Sequence, residues 1–495
     1  MRNPKSFRFT SWLSEFTFFR LTPRALRLTV FFLSLSPLLF SSPSEVNAQW
    51  EPDRRLTYDD TISYTSSNKS LAVGSTGVVH VVWRDNRDGN TEIYYKRSTD
   101  AGATWDSADT RLTYNPYISE DPVIASGGSI VHVVWEDSRD GNFEIYYKRS
   151  TDSGATWSSD LRLTNAPGYS FIPDLSVFDS LIHLVWRDDR DGNWGIYYKR
   201  STDAGVSWTP DSCLTSNPIA VDDPSVSCSG SFTYLVWPDD RSWEWVLYYK
   251  RSMDGGVTWD TTDNRLSFTP DNAYSPSISS SDSNVHVAWQ VTPQSGQGGR
   301  IFYKHSTDFG TLWSQDTCLV DSAVLPSLVV SGSMVHLVWC DGRHSIAYNL
   351  YYKKSTDNGV TWSSDMCLTN TTRSAFWPTI RVSGPVVHVN WTDNRYGNGK
   401  EEVFYKRNPS GNAVEENSEL GSRKFKIRLN ARPNPFTSFT ALPGHEAERF
   451  ALYDISGRRV GTYRGDRVGA DLTPGVYFIK PEEKQSKPLR IVKLR

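Results

Sequence analysis

The chain has 495 residues, of which 13% are aromatic, and its formal net charge is −3. This length and composition fit one large all-β domain with an ample core and one smaller domain. Residues from 421 onward carry about +9, whereas residues 49–420 carry about −16. An acidic domain of this kind disfavours nucleic acid and other polyanions as partners.

Residues 1–48 predict a secretory signal peptide. Three arginines precede an apolar run from Leu28 to Phe40, and Val46-Asn-Ala48 fits a small-residue cleavage site. The run is short and interrupted by Ser and Pro37, so it is a poor membrane span, although a retained N-terminal anchor is the alternative. No other segment predicts a membrane span, and we expect none in the mature chain.

A stretch that opens at a tryptophan returns along most of the sequence, with a period of 50 to 52 residues. A period this regular indicates a repeat architecture. In the second repeat, the segments 121–126, 131–135, 144–149 and 161–164 each predict a short strand, and Asp140-Gly-Asn142 predicts a tight turn. Four strands per repeat without helical periodicity predict a β-propeller blade. The opening tryptophans are Trp83, Trp135, Trp186, Trp237, Trp289, Trp339 and Trp391.

A second turn, in six of the repeats, has the pattern Ser-x-Asp-x-Gly-x-x-Trp. The Asp carboxylate can accept free backbone N–H groups of the turn, the Gly takes a left-handed conformation, and the Trp packs over the hairpin. The aspartates of this pattern, which we expect to be structural, are Asp100, Asp152, Asp203, Asp254, Asp308 and Asp357. The pattern resembles the Asp-box (BNR) repeat of sialidases and other secreted propellers, and the resemblance covers residues 49–408.

The seventh repeat has neither this turn nor a fourth strand. The segment from Asp53 to Thr57 has the sequence of the missing strand, and pairing it with the last blade would remove an open sheet edge. The predicted fold is therefore all-β: a seven-bladed β-propeller whose N-terminal strand closes the last blade. The catalytic fold of sialidases has six blades.

Several polar residues repeat with the blades. Six repeats contain Trp-x-Asp-x-Arg, beginning with Asp85 and Arg87, and six have a histidine three residues before the Trp, beginning with His80. Residues that recur around a ring cannot converge on one active site or metal ion, so we expect structural ion pairs and buried histidines. Three of the five cysteines occupy equivalent positions in separate blades, too far apart for disulfides, and are expected to be buried: Cys213, Cys318 and Cys367. No metal site and no cofactor are predicted.

Residues 409–422 are polar and aperiodic, as is typical of a linker. The segment 423–495 contains Arg432-Pro-Asn-Pro-Phe436, Leu452-Tyr-Asp-Ile-Ser-Gly-Arg458 and Leu472-Thr-Pro-Gly-Val-Tyr-Phe478, and short strands around these turns predict a small β-sandwich. The combination resembles the type A sorting domain of the type IX secretion system. The resemblance implies export to the bacterial surface or medium, with the secretion machinery as a partner. An ordinary immunoglobulin-like binding module is the alternative.

Positions that depart from the repeat are the candidates for ligand binding. Most lie in or after the turn between the second and third strands, on the face where propellers usually bind ligands. Aromatic rings beside carboxylates and amides suit stacking on sugars, but rings that only cover the hairpins fit the sequence equally well. The candidates are Phe143, Trp194, Trp243, Trp245, Tyr348 and Trp377.

The sequence favours an exported or cell-surface recognition propeller that binds a glycan or a surface protein without catalysis. The alternative is a sialidase-like glycoside hydrolase, that is, an exo-sialidase. That resemblance implies three arginines that clamp a carboxylate, a tyrosine activated by a glutamate, and an aspartate acid/base. We assign none of these roles to a residue of this chain, and the first blade lacks an Arg-Ile-Pro motif. A purely structural surface protein is a third possibility.

Overall fold

The computed structural model describes residues 50–412, apart from 60, 67–68, 75, 217–218, 270, 294–297, 344–346 and 398, and residues 449–493, apart from 455–457, 465–466, 469–470 and 482–488. The chain divides into two compact units, Met1–Ala413 and Val414–Arg495. The described residues contain strands, turns and loops but no helix, and hence no helix that could cross a membrane. The predicted signal peptide, linker residues 413–422 and the motif at 432–436 lie outside the described residues.

The strands of the first unit follow the predicted repeat. The first blade and the strand before it contain β1 (Arg54–Arg55), β2 (Ser63–Tyr64), β3 (Leu71–Val73), β4 (Val79–Asp85), β5 (Glu92–Ser98) and β6 (Thr110–Arg111). The second and third blades contain β7 (Ser119–Gly127), β8 (Ile130–Asp137), β9 (Glu144–Ser150), β10 (Leu161–Arg162), β11 (Ser170–Phe178), β12 (Leu181–Asp188), β13 (Gly195–Ser201) and β14 (Ser212–Cys213). The fourth and fifth contain β15 (Ser225–Ser229), β16 (Phe232–Asp239), β17 (Val246–Ser252), β18 (Asn264–Arg265), β19 (Asn272–Ser281), β20 (Asn284–Thr292), β21 (Arg300–Ser306) and β22 (Thr317–Asp321). The sixth and seventh contain β23 (Ala323–Ser331), β24 (Met334–Asp341), β25 (Asn349–Ser355), β26 (Met366–Cys367), β27 (Ala375–Ser383), β28 (Val386–Asp393) and β29 (Glu402–Asn408).

These strands form seven antiparallel sheets, one for each blade of a propeller. The first strand of each blade is innermost, and in the first blade β2 and β3 share this place by both pairing with β4. The innermost strands contact one another in a closed ring, in the order β3, β7, β11, β15, β19, β23 and β27. They surround a central channel that contains a cavity of about 220 Å³.

The N-terminal strand closes the ring. β1 lies antiparallel to β29, with Arg55 opposite Phe404. The Leu56 N–H donates to the Val403 carbonyl oxygen at 2.8 Å, and the Arg55 side chain donates to the carboxylate of Glu402. The prediction of seven blades with an N-terminal closing strand is confirmed.

The repeated tryptophans are fully buried at the centre of each blade. In the first blade, the Trp83 indole N–H donates to the Asp85 carboxylate at 3.0 Å, and Arg87 donates to the same carboxylate at 2.5 Å. Arg87 also reaches Asp109, just before the outermost strand, at 2.7 Å. The other five Trp-x-Asp-x-Arg repeats have the same ion pair. The pair therefore joins the second strand of a blade to the outermost strand, as a structural role requires.

The repeated histidines are buried and bonded within their own blades. Nδ1 of His80 lies 2.7 Å from the Tyr95 hydroxyl, and the equivalent distances in the other blades are 2.6 to 2.8 Å. Burial, together with the nearby Arg97 guanidinium, lowers the pKa of His80 to about 3. The imidazole is therefore neutral in the folded protein.

The turns with the pattern Ser-x-Asp-x-Gly lie at the seams between blades. In the first blade, the Asp100 carboxylate accepts the Thr104 N–H at 2.7 Å, and the Ser98 hydroxyl accepts the Gly102 N–H at 2.8 Å. Gly102 has a φ of +82°, and a Cβ at this position would lie 1.9 Å from the hydroxyl oxygen of Tyr405 in the preceding blade. Only glycine satisfies both the backbone conformation and this close approach.

The tryptophan that ends each turn contacts the preceding blade as well as its own hairpin. Trp105 lies edge-on to Tyr405, with the ring centres 4.8 Å apart, and the five equivalent pairs are 4.9 to 5.2 Å apart. The seventh blade lacks this turn, and Trp50 from the N-terminus takes its place against Tyr352 at 5.1 Å. The N-terminal segment thus supplies both the missing strand and the missing seam tryptophan.

The prediction that Cys213, Cys318 and Cys367 are buried is wrong. All three are exposed and free, and they lie in the short outermost strands, where the equivalent residues of other blades are arginines at the surface. The three cysteines lie in three separate blades, in β14, β22 and β26.

The second unit contains one described sheet of four antiparallel strands. It is built from β30 (Arg449–Asp454), β31 (Arg459–Arg464), β32 (Gly475–Pro481) and β33 (Leu489–Lys493), in the order β31-β30-β32-β33. Phe450, Leu452 and Ile479 are its most buried apolar side chains. A second sheet, which a sandwich requires, is not among the residues described for this unit.

Candidate functional site

One face of the propeller, here called the upper face, carries the turns between the second and third strands. Asp137 pairs with both Ser119 and Glu144, which places this turn beside the beginning of the innermost strand. The Ser-x-Asp-x-Gly turns follow the third strands and therefore lie on the opposite face. All six aromatic candidates are on the upper face.

Phe143 and Trp194 belong to one aromatic cluster on the second and third blades. Phe171 lies between them, with ring centres 5.2 Å from Phe143 and 5.9 Å from Trp194. Tyr169, which is 45% exposed, stacks on Phe171 at 5.5 Å. The guanidinium of Arg187 covers the Trp194 ring at 4.0 Å. Much of the surface of both candidate rings is therefore already in contact with protein.

Three other candidates pack on aromatic residues of the next blade and cover the seams between blades. Each is half-buried, so a ligand would meet ring edges rather than free faces. The pairs, with the distances between ring centres, are Trp245 with Tyr274 at 5.7 Å, Tyr348 with Phe376 at 6.3 Å, and Trp377 with Tyr64 at 5.3 Å.

Trp243 differs from the other five candidates. It is 87% exposed and has a φ of +62°. The same place in the first three blades is occupied by glycines with φ of +90° to +98°: Gly89, Gly141 and Gly192. A side chain in this conformation costs roughly 1–2 kcal/mol. The fourth blade therefore places a large apolar ring in solvent at a position where its sister blades use the unstrained residue.

Two arginines of the upper face already have carboxylate partners. Arg84 donates to Glu120 of the next blade at 2.7 Å, and Arg187 donates to Asp222 of the next blade at 3.1 Å. An anionic ligand would have to compete with these carboxylates. This arrangement differs from the free arginine clamp that a sialidase resemblance implies.

Glu136 lies at the position that Arg84 and Arg187 occupy in their blades. It is buried, and its carboxyl group accepts the Ile172 N–H of the next blade. Burial, reinforced by the nearby Asp121, raises the pKa of Glu136 well above its usual range. This position was not predicted from the sequence, although the residue after the repeat Trp varies strongly between blades and could have indicated it.

No cluster of three or more histidine, cysteine, aspartate or glutamate side chains suited to a metal ion occurs within the described parts of the chain.

The fold is similar to that of several carbohydrate-active enzymes. Polysaccharide lyase Uly1 superposes with a TM-score of 0.52 at 7% identity, covering 73% of this chain and 99% of the lyase. An ulvan lyase superposes with a TM-score of 0.50 at 10% identity, covering 69% of this chain and 95% of the lyase. Trypanosoma rangeli sialidase in complex with the inhibitor DANA gives a TM-score of 0.42 at 12% identity, covering 61% of this chain and 56% of the sialidase.

No protein-family model and no curated protein sequence matches the chain. At these identities, the similarity shows the fold alone: an all-β propeller like that of the two polysaccharide lyases.

Proposed function

We propose that the chain is an exported or cell-surface recognition propeller that binds a glycan through its upper face, without catalysis. Export would use the N-terminal signal peptide and the C-terminal sorting domain of the type IX system, with the secretion machinery as a partner. A surface protein that presents sugars or an apolar patch is the alternative ligand.

Trp243 carries this proposal. Its side chain is almost fully in solvent, and its backbone conformation is the one that glycine provides in three sister blades. Nothing within the fold requires the ring, because the sister turns close in the same way without it. The backbone bond that closes the turn is the same in these four blades; for example, the Trp243 N–H donates to the Asp240 carbonyl oxygen at 2.7 Å and the Gly141 N–H to the Ser138 carbonyl oxygen at 3.2 Å. A strained and exposed tryptophan is therefore best explained as a contact for a sugar ring or another apolar surface.

The charges of the upper face favour a glycan without carboxylate or sulfate groups. Arg84 and Arg187 are paired with carboxylates of the next blade, and residues 49–420 carry about −16 in total. An anionic sugar would meet a negative potential and arginines that already have partners. This counts against the sialidase-like hydrolase, which would need free arginines for an anionic substrate.

A glycan array probed with the purified protein tests the proposal. We expect binding to a set of neutral glycans, lost in Trp243→Gly and kept in Leu312→Ser, which removes an exposed leucine on the opposite face. A fluorogenic sialoside and a panel of aryl glycosides are assayed in parallel. Turnover of any of them would replace the binding proposal with the hydrolase. Absence of both binding and turnover would favour a purely structural protein.

A further inference from the structure

The innermost strand of the first blade departs from the pattern of the other six. In those blades a proline follows a residue with positive φ near the start of the strand: Pro122, Pro173, Pro224, Pro276, Pro326 and Pro378. In the first blade Lys69 stands at this place. The strand register shows three additional residues here in the first blade. The segment from Tyr64, which pairs with Arg84, to Leu71, which pairs with Val81, is three residues longer than its equivalent in the second blade. That equivalent runs from Glu120, which pairs with Glu136, to Ile124, which pairs with Val133.

The Lys69 side chain reaches across the mouth of the central channel. Its ammonium nitrogen lies 3.4 Å from the Pro173 carbonyl oxygen, 3.3 Å from the Pro224 carbonyl oxygen and 3.4 Å from the Asp223 carboxylate. Pro173 belongs to the third blade, and Pro224 to the start of the fourth. The first blade is adjacent to neither, because its innermost strand β3 lies between β7 of the second blade and β27 of the seventh.

The environment holds the ammonium group in its charged form. The side chain of Lys69 is only 7% exposed, and an isolated charge at such a site would be costly. Burial alone would lower the pKa of Lys69, but Asp174 and Asp223 outweigh it and raise this pKa. The Asp174 carboxylate is itself fixed by the N–H groups of Leu175 and Val226, each at 2.8 Å.

We propose that the mouth of the channel is a binding site for a primary ammonium group, which the chain fills with its own Lys69 to brace the ring across the channel. An ammonium group has three N–H donors, and the site offers three acceptors from two blades. Most contacts in a propeller join adjacent blades, whereas this contact joins blades that are not adjacent. Removing the side chain empties the site without disturbing any blade core.

Thermal unfolding of Lys69→Ala, in the full chain, tests the proposal. The Tm should fall by about 5 °C, because a partly buried carboxylate and two carbonyl groups lose their partner. Propylammonium chloride matches the deleted part of the side chain and should restore at least half of this loss in a saturable manner. Tetramethylammonium chloride at the same concentration has no N–H donor and should restore none of it.

Lys69→Met provides the matched control. Methionine fills the space but offers no hydrogen-bond donor, so the Tm of Lys69→Met should fall as in Lys69→Ala and should not respond to propylammonium. If Lys69→Ala does not fold without help, its refolding yield in propylammonium compared with tetramethylammonium gives the same readout. A Tm within 1 °C of the wild type in both variants would overturn the proposal. So would an equal response to the two ammonium salts.

Discussion

The closure of the ring by the N-terminal strand can be tested by substituting one of its leucines and the equivalent leucine of another blade, and comparing the loss of stability. Leu56 follows β1 and is 1% exposed, and Leu112 holds the same place in the first blade at 2% exposed. Leu→Ala removes three carbon groups, worth about 0.8 kcal/mol each in lost burial. The cavity left behind raises the expected loss in the free energy of unfolding to about 3–5 kcal/mol. Because the two sites are equally buried, the two losses should agree to within about 1 kcal/mol.

Urea unfolding followed by tryptophan fluorescence measures both losses on the same scale. If the N-terminal strand is a true part of the seventh blade, Leu56→Ala and Leu112→Ala shift the transition to similar urea concentrations. If Leu56→Ala stays within about 0.5 kcal/mol of the wild type while Leu112→Ala is destabilised, Leu56 is not in a core. The closure of the ring by the N-terminus would then be refuted.

Two further predictions concern the seams and the histidines. Gly154→Ala should lower the free energy of unfolding by more than about 3 kcal/mol, because Gly154 has a φ of +80° and a Cβ there would lie 1.8 Å from the Tyr95 hydroxyl oxygen. Gly141→Ala should lower it by only about 1 kcal/mol, because Gly141 has a φ of +97° but open space around it. Urea unfolding compares the two variants, and equal losses would contradict the seam geometry. Burial lowers the pKa of His132 to about 3 in the folded chain, so the unfolded chain takes up more protons below pH 6.5 and stability should fall steadily from pH 6.5 towards pH 4. His132→Tyr copies the fourth blade, where Tyr234 holds this place, and should reduce that slope in a plot of Tm against pH; an unchanged slope would count against the neutral buried histidine.

The sequence was sufficient to predict the blades, because each blade repeats the same local signals. The repeat tryptophan, the turn with Asp85 and Arg87, and the strand patterns depend on contacts within one blade, and they recur every 50 to 52 residues. The closing strand was also predictable, since Arg55-Leu-Thr57 matches the outermost strands of the other blades.

Contacts between blades were harder to predict, because they depend on how each blade is inclined to the next. The sequence indicates that Trp105 belongs to a turn, but not that it meets Tyr405 of the preceding blade, or that Trp50 repeats this contact at Tyr352. Lys69 was missed because the additional residues before it interrupt the alignment of the repeats.

The choice among the candidate binding residues also depends on contacts that the sequence does not reveal. The six aromatic candidates look alike in sequence, and only the structure separates Trp243 from the five that pack on neighbouring rings or core residues. The separating property is exposure combined with a positive φ, and neither can be read from residue type. Comparison with Gly89, Gly141 and Gly192 could have indicated the unusual position, because the turns align without gaps.

The central claim, that Trp243 is kept for binding rather than for folding, is tested most directly by one variant in two assays. Trp243→Gly is titrated calorimetrically against the neutral glycan that binds the wild type best on the array, and its Tm is measured on the same sample. We predict binding at least about tenfold weaker, from the loss of a stacking contact worth on the order of 1.5 kcal/mol, with a Tm equal to or above that of the wild type. Unchanged affinity, or a clear fall in Tm, would contradict the account.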